Sequence, residues 1–216
     1  AYALIYRAYF AFSKNPRISS NGQNTSAAFG FTNVLIDILK NEKPSHIAVV
    51  FDPPGGSTIR QEDFKEYKAH REAMPEDIRS MIEPIKTLIR AFNIEVIEVA
   101  GYEADDVIGT LCKMAEKKGF ATYMMTPDKD YAQLVSSNSF MYKPGRGGAP
   151  AQILGVAEVQ EKFSVDDPLQ VIDILGLWGD AADNIPGIPG IGEKTSKLLV
   201  GCLLYTSDAA DDAHGV

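Results

Sequence analysis

Three short apolar runs rich in β-branched residues constrain this chain most: HIAVVF (46 to 51), IEVIEVA (94 to 100) and FATYMMT (120 to 126). Runs of this kind read as buried strands of a parallel sheet, which are covered on both faces and so need no polar alternation. Between them lie segments with apolar residues at 3.6-residue spacing: SAAFGFTNVLIDILKNE, PEDIRSMIEPIKTLIRAF and ADDVIGTLCKMAEKKG. The second opens with Pro75 at the first helical position and acids in the first turn. The third closes on Gly119 as a C-cap, and its Cys112 reads as a core residue. This alternation predicts an α/β domain, a mostly parallel central sheet with flanking helices, over residues 1–156. From about residue 157 the pattern turns all-helical (AEVQEKF, DPLQVIDILGLW, glycine-rich turns, EKTSKLLV), which predicts a smaller helical unit over 157–201.

The charge balance constrains the partners. The net charge of −8 opposes contact with a polyanion, which needs a basic surface. Asp208, Asp211 and Asp212 fall in CLLYTSDAADDAHGV, which breaks all preceding periodicity and reads as a non-native tail over 202–216; without them residues 1–201 carry −5. The remaining acids are bunched, so cations bound there would leave a surface able to meet a phosphate backbone. No apolar run is long enough to span a bilayer, no secretory signal opens the chain, and two cysteines do not make a disulfide framework. The expectation is a cytoplasmic protein with no membrane partner.

The acids follow the strands. Asp52 comes directly after HIAVVF, Glu103 two residues after IEVIEVA, and Asp128 and Asp130 just after FATYMMT. Ligands of open α/β sheets bind beyond the carboxyl ends of the strands, so three strands are expected to deliver carboxylates to one edge. GYEADDVIGT puts Glu103, Asp105 and Asp106 into four positions. Asp105 and Asp106 suit a helix N-terminus, yet Glu103 and Asp106 would be like-charged neighbours on one face. Hard divalent cations offset such repulsion with all-oxygen ligand sets, and two ions roughly 3.5–4 Å apart suit in-line displacement at phosphorus. The three histidines, at 46, 70 and 214, are scattered and show no zinc-ligand spacing with cysteine.

A further acidic pair, Asp180 and Asp183, lies in GDAADNIPGIPGIGEKT. The glycine turns that follow, with Gly187, Gly190 and Gly192, read as a helix–hairpin–helix that offers backbone N–H groups and a helix N-terminus to phosphate. Lys194 in the first turn of the second helix is poor for the dipole and good for phosphate. Alternatively, the segment is an ordinary turn between helices. The basic stretch RQEDFKEYKAHREAMPED (60 to 77) places Tyr67, Lys68 and Arg71 close together on a helical projection. A mixed-charge helix is usually a solvated face; the other reading sets it over the site, with Lys68 and Arg71 on the scissile phosphate and Tyr67 stacked on a base.

Taken together, YALIYRAYFAF, FDPPGGSTIRQEDFKEYKAHR, GYEADDVIGT, TPDKDYAQLV and GDAADNIPGIPGIGEKTSKLL resemble the 5′-nuclease (5′-3′ exonuclease, flap-endonuclease-like) domain of bacterial DNA polymerase I, over essentially residues 1 to 200. The resemblance implies a PIN-like fold and a nuclease that removes 5′ flaps and RNA primers from branched duplex DNA with two Mg²⁺ or Mn²⁺ ions. It implies one metal site from Asp52, Glu103, Asp105 and Asp128, and a second from Asp105 or Asp106, Asp130, Asp180 and Asp183. Lys68 and Arg71 are the implied catalytic cations, and with Arg7 and Tyr67 they would handle the 5′ strand. The helix–hairpin–helix would grip duplex DNA with a bound K⁺. A monomer at the bacterial nucleoid, followed in its parent by a polymerase domain, is the implied setting.

The chain departs from the family pattern in places. The family's first strand and its metal aspartate would lie just before Ala1, so the expectation is a weakened first metal site. Ala182 stands where the family often has Ser. Two other readings compete: a non-catalytic binder of branched DNA, and a Mg²⁺-dependent phosphatase of the haloacid-dehalogenase type. The latter needs a nucleophilic Asp in a DxD pair after its first strand, whereas the DKD of Asp128 and Asp130 follows a late one.

Overall fold

The computed structural model describes residues 1–54, 58–145 and 149–203. Of the tail expected over 202–216, Cys202 and Leu203 lie in a helix that runs through Leu203, and residues 204–216 are outside the described residues. The chain divides into two compact units: residues 1–62 with 72–108, and residues 63–71 with 109 onward.

The first unit contains α1 (Tyr2–Ala11), α2 (Ser26–Asn41), β1 (Ala48–Phe51), α3 (Thr58–Asp63), α4 (Glu76–Arg79), α5 (Ile82–Ala91), β2 (Glu95–Glu98) and the start of α6 (Ala104–Glu116). Its core gathers Ile5, Phe31, Leu35, Phe51, Ile78, Ile85 and Ile89. Strands β1 and β2 pair in parallel from Ala48–Glu95 to Phe51–Glu98, so their carboxyl ends lie together. Strand β2 is half-buried to exposed rather than buried, because Glu95 and Glu98 interrupt its apolar run. Lys86, 8% exposed, is satisfied by Glu98 at 2.6 Å and Glu83 at 3.1 Å. The single helix expected from Pro75 is two, α4 and α5, and Pro75 precedes the first helical residue instead of being it. Pro84 accounts for the break: it has no N–H to give Ser80, and its ring crowds the carbonyl four residues back. Ser80 is the residue on which α4 ends.

The second unit continues α6 and adds β3 (Thr122–Met125), a 3-10 turn (Lys129–Leu134), β4 (Ser139–Lys143), β5 (Gln152–Leu154) and α7 (Val156–Phe163). A 3-10 turn (Pro168–Gln170), α8 (Val171–Trp178), β6 (Gly179–Asp180), β7 (Ile185–Pro186) and α9 (Glu193–Leu203) follow. Gly119 ends α6 at φ +77°, as expected of a C-cap. Met124, Met141, Val159, Phe163, Val171, Ile174 and Val200 form the buried interior, and Cys112 is buried too. Strand β4 pairs in parallel with β3 and antiparallel with β5. Among the described residues the expected parallel pairing is present in two ladders, β1–β2 and β3–β4, while β4–β5 and β6–β7 pair antiparallel, and the ladders form separate sheets, β1–β2, β3–β4–β5 and β6–β7, instead of one central sheet. Strands β4 and β5 are additional to the three expected from the apolar runs, and β4 is central in its sheet, between β3 and β5. Among the described residues, no helix is long and apolar enough to cross a membrane.

Candidate active site

In the first unit the acids collect where β1 and β2 end. Asp52 follows β1, and its Oδ1 accepts the N–H of Ala104, the first residue of α6, at 3.0 Å. Glu103 stands just before the helix and is 4% exposed. Asp106, three residues on, turns back to accept the Glu103 N–H at 3.2 Å, and Asp105 accepts the Asp106 N–H at 2.7 Å. These bonds satisfy N–H groups that a helix start leaves open. The surplus charge meets Arg60 of α3, whose Nη1 lies 2.8 Å from Glu103 and 3.4 Å from Asp105, with Nη2 2.8 Å from Asp106. Burial pushes the Asp105 carboxyl above its ordinary range; Arg60 opposes this, and the charges of Asp106 and Glu103 add to it. Arg60 is absent from the residues singled out in the sequence. It opens an ordinary mixed-charge run, and only the fold brings it 43 residues along the chain to Glu103.

In the second unit Asp128 follows β3 and is exposed, with its side chain accepting the Asp130 N–H at 3.1 Å. Asp130 Oδ1 is buried and accepts no hydrogen bond; the Lys129 ammonium stands 3.5 Å away as an ion pair. Burial, then the charge of Asp128, pushes Asp130 up to about 6. Lys129 also pairs with Asp180 and lies 5.7 Å from the centre of the Trp178 ring. Burial works against the Asp180 charge, but Lys129 and the N–H groups of Ala182 and Asp183 hold its carboxyl below the usual range. Lys129 has a sequence signal of its own: it stands between Asp128 and Asp130, and acids on both sides of a lysine mark an internal counter-charge. A cavity of about 700 Å³ opens here between Phe64, Trp178, Asp180 and Ile185.

The basic stretch is built differently from the expectation. Residues 65–70 form turns, not helix, with Lys68 at φ +56°. Bonds from Tyr67 N to Phe64 O and from Arg71 N to Lys68 O close these turns, and Lys68 N donates to Asp183 O at 2.9 Å. Asp183 gathers all three side chains: Tyr67 Oη at 3.1 Å, Lys68 Nζ at 3.6 Å and Arg71 Nη2 at 2.5 Å. Tyr67 is 6% exposed, so its ring presents no face for a base to stack on. Its hydroxyl and the neighbouring cations hold Asp183 instead. Arg7 is half-buried on α1.

The glycine turns also differ among themselves. A Cβ at Gly187 would lie 2.2 Å from the Trp178 carbonyl oxygen, so the close approach there is to the chain itself. Gly190 has φ +83°, and Gly192 faces open space ahead of α9. Lys194 is exposed in the first turn of α9.

Two family models account for nearly all the described chain. Residues 1–164 match the 5′-3′ exonuclease N-terminal resolvase-like domain, and residues 166–203 the 5′-3′ exonuclease C-terminal SAM fold. The chain belongs to the 5′-3′ exonuclease family. DNA polymerase I of Bacillus subtilis (strain 168) is 42% identical over 199 residues, covering 91% of this chain and 22% of that protein. DNA polymerase I of Pseudomonas aeruginosa is 43% identical over 196 residues, covering 91% and 21%. The chain therefore spans about a fifth of the length of the curated relatives it matches. In fold it is similar to the bacteriophage T5 flap endonuclease solved with DNA and metal ions, at a TM-score of 0.74 and 21% identity, covering 94% of this chain and 72% of that one. The catalytic core of Rad2 with DNA substrate gives a TM-score of 0.55 at 17% identity, covering 99% and 66%. Membership of the 5′-3′ exonuclease family displaces the phosphatase reading.

For a 5′-3′ exonuclease, the donor set suits hard divalent ions: every candidate ligand is a carboxylate, and Asp130 Oδ1 is buried without a hydrogen bond. Arg60 and Lys129 supply positive charge among these acids. Among the described residues, however, no group of three or more His, Cys, Asp or Glu is arranged to hold a metal ion. The carboxylates of Glu103, Asp105 and Asp106 meet the Arg60 guanidinium, and those of Asp130 and Asp180 the Lys129 ammonium.

Proposed function

We propose that this chain is the 5′-nuclease part of a longer DNA polymerase I-type protein, hydrolysing phosphodiesters at 5′ ends and 5′ flaps of branched DNA and in RNA primers. The observation that carries this reading is the convergence of Glu103, Asp105 and Asp106 on one guanidinium at the carboxyl ends of paired parallel strands, with Asp52 bonded to the same helix start. Acids gathered in this way need positive charge beside them, and an all-carboxylate set suits a hard divalent ion. Asp52, Glu103, Asp105 and Asp106 in one unit, and Asp128, Asp130, Asp180 and Asp183 in the other, would hold two Mg²⁺ or Mn²⁺ ions. Such ions supply a nucleophilic water at neutral pH and neutralise charge on the leaving oxygen.

The chain's own groups do the rest. Lys68 and Arg71, paired with Asp183 here, carry the charge that would turn to the scissile phosphate, while Tyr67 keeps Asp183 in place. Arg7 would meet the 5′ strand. Gly190, Gly192 and Lys194 would face the duplex backbone, with K⁺ at the glycine turns. Residues 1–156, with Asp180 and Asp183, would carry the chemistry and the rest of 157–201 the grip on duplex DNA, acting as a monomer at the bacterial nucleoid.

A 5′-flap substrate tests this, with Mg²⁺ and with EDTA, on the 216-residue chain and on a form extended at its N-terminus. Cleavage is expected only with the metal. Asp105→Ala and Asp130→Ala should each lower turnover about a hundredfold or more while DNA affinity stays nearly constant. Unchanged turnover in both variants sinks the metal assignment, and tight flap binding without cleavage in either form assigns a binding role instead.

A further inference from the structure

Arg60 is placed as no surface arginine needs to be. Its two terminal nitrogens reach three carboxylates, at 2.8 Å from Glu103, 3.4 Å from Asp105 and 2.8 Å from Asp106. The side chain of Glu103 is 5% exposed, and that of Arg60 is 36% exposed. A planar guanidinium suits this task because its fork can bond separate carboxylates at once. Without it, three negative charges would sit within one helical turn, one of them shielded from water, and like charges there repel. A hard divalent ion would claim the same carboxylates, and its two positive charges would repel a guanidinium held within hydrogen-bonding distance of them.

We infer that Arg60 is an exchangeable counter-cation: it holds the metal-free acids together and leaves them when a divalent ion binds. It is a positioning residue, acting through Glu103, Asp105 and Asp106. The inference rests on the metal reading above. It predicts that wild-type metal affinity is reduced by the fraction of molecules in which Arg60 occupies the acids.

Two measurements without DNA test it. Calorimetric titration of Mn²⁺ into the 216-residue chain and into Arg60→Met and Arg60→Gln should show about tenfold tighter binding by the variants, together with lower melting temperatures in EDTA. A merely structural role for Arg60 would lower melting without tightening metal binding, so equal or weaker Mn²⁺ affinity overturns the inference. In the wild-type chain, Mg²⁺ titration followed by NMR should move the Arg60 Nε–H resonance with the same saturation as metal binding. A resonance that stays in place while Mg²⁺ binds overturns it as well. Absence of Mn²⁺ binding in every form overturns the metal reading and this inference together, and so separates the two failures.

Discussion

Gly187 and Gly192 look alike in IPGIPGIGEKT, yet the space around them differs. A Cβ on Gly187 would meet the Trp178 carbonyl oxygen at 2.2 Å and that of Leu177 at 2.6 Å. Both are backbone atoms, which cannot swing aside as a long side chain can. Gly187→Ala should therefore destabilise the second unit by about 1–3 kcal/mol, read as a lower urea midpoint. Around Gly192 nothing lies within 4 Å of the added carbon. Gly192→Ala should leave stability within about 0.5 kcal/mol but weaken duplex DNA binding, because the methyl group would stand between a phosphate and the N–H groups at the start of α9. Equal DNA affinity for Gly192→Ala and wild type would return this turn to a plain connection between helices. Lys68 makes a similar point: its φ of +56° belongs to a turn docked on Asp183, and no helical projection contains that conformation.

Helix α6 carries acids at both ends, and the two ends are handled differently. At the N-terminus, Asp105 and Asp106 favour the positive end of the dipole. At the C-terminus, Glu116 is on the unfavourable end, and hydroxyls compensate: Ser136 donates to its Oε1, as does Ser139 at 2.7 Å, with Lys113 3.3 Å from Oε2. These bonds, that of Ser136 first, hold the Glu116 carboxyl below its ordinary value of 4.5. A depressed folded value means the stabilisation is fully present above about pH 4.5 and is lost as pH falls through the folded value. Glu116→Gln should cost roughly 1–2 kcal/mol at pH 7, and the gap from wild type should shrink as unfolding is measured at successively lower pH below 4.5. A gap independent of pH would mean that packing, not charge, sets the contribution.

At the scale of the whole molecule, a net charge of −8 coexists with a nucleic-acid partner only if the bunched acids are neutralised. Arg60, Lys129, Lys68 and Arg71 neutralise part of that charge from within the chain. Divalent ions binding only the folded state must raise its stability by mass action, by about 2.7 kcal/mol at one hundred times the dissociation constant. For a chain of this size that is about 5–10 °C in melting temperature. Mn²⁺ should produce such a rise, EDTA should reverse it, and Asp130→Asn should diminish it. A melting temperature indifferent to Mn²⁺ would leave the acids with no role beyond their internal ion pairs.

The sequence by itself determined what local pattern controls. Alternating apolar runs and helical periods placed β1, β2, β3 and the helices between them, and the acids following each strand followed from that placement. Glu103, Asp105 and Asp106 could be grouped because a helix start brings together residues three apart. Pro84 breaking a helix was legible in principle, since its effect reaches only four residues back. The tertiary structure alone decided which cation meets which acid. Arg60 reaches Glu103 across 43 residues, Lys129 reaches Asp180 across 51, and Arg71 reaches Asp183 across 112. No period or propensity encodes contacts at that separation, because they form only when the cores of the units close and bring distant segments within hydrogen-bonding range. The same closure buried Tyr67 and divided the described strands into three sheets. It also filled the acidic clusters with the chain's own arginine and lysines, which a sequence shows only as scattered positive charges.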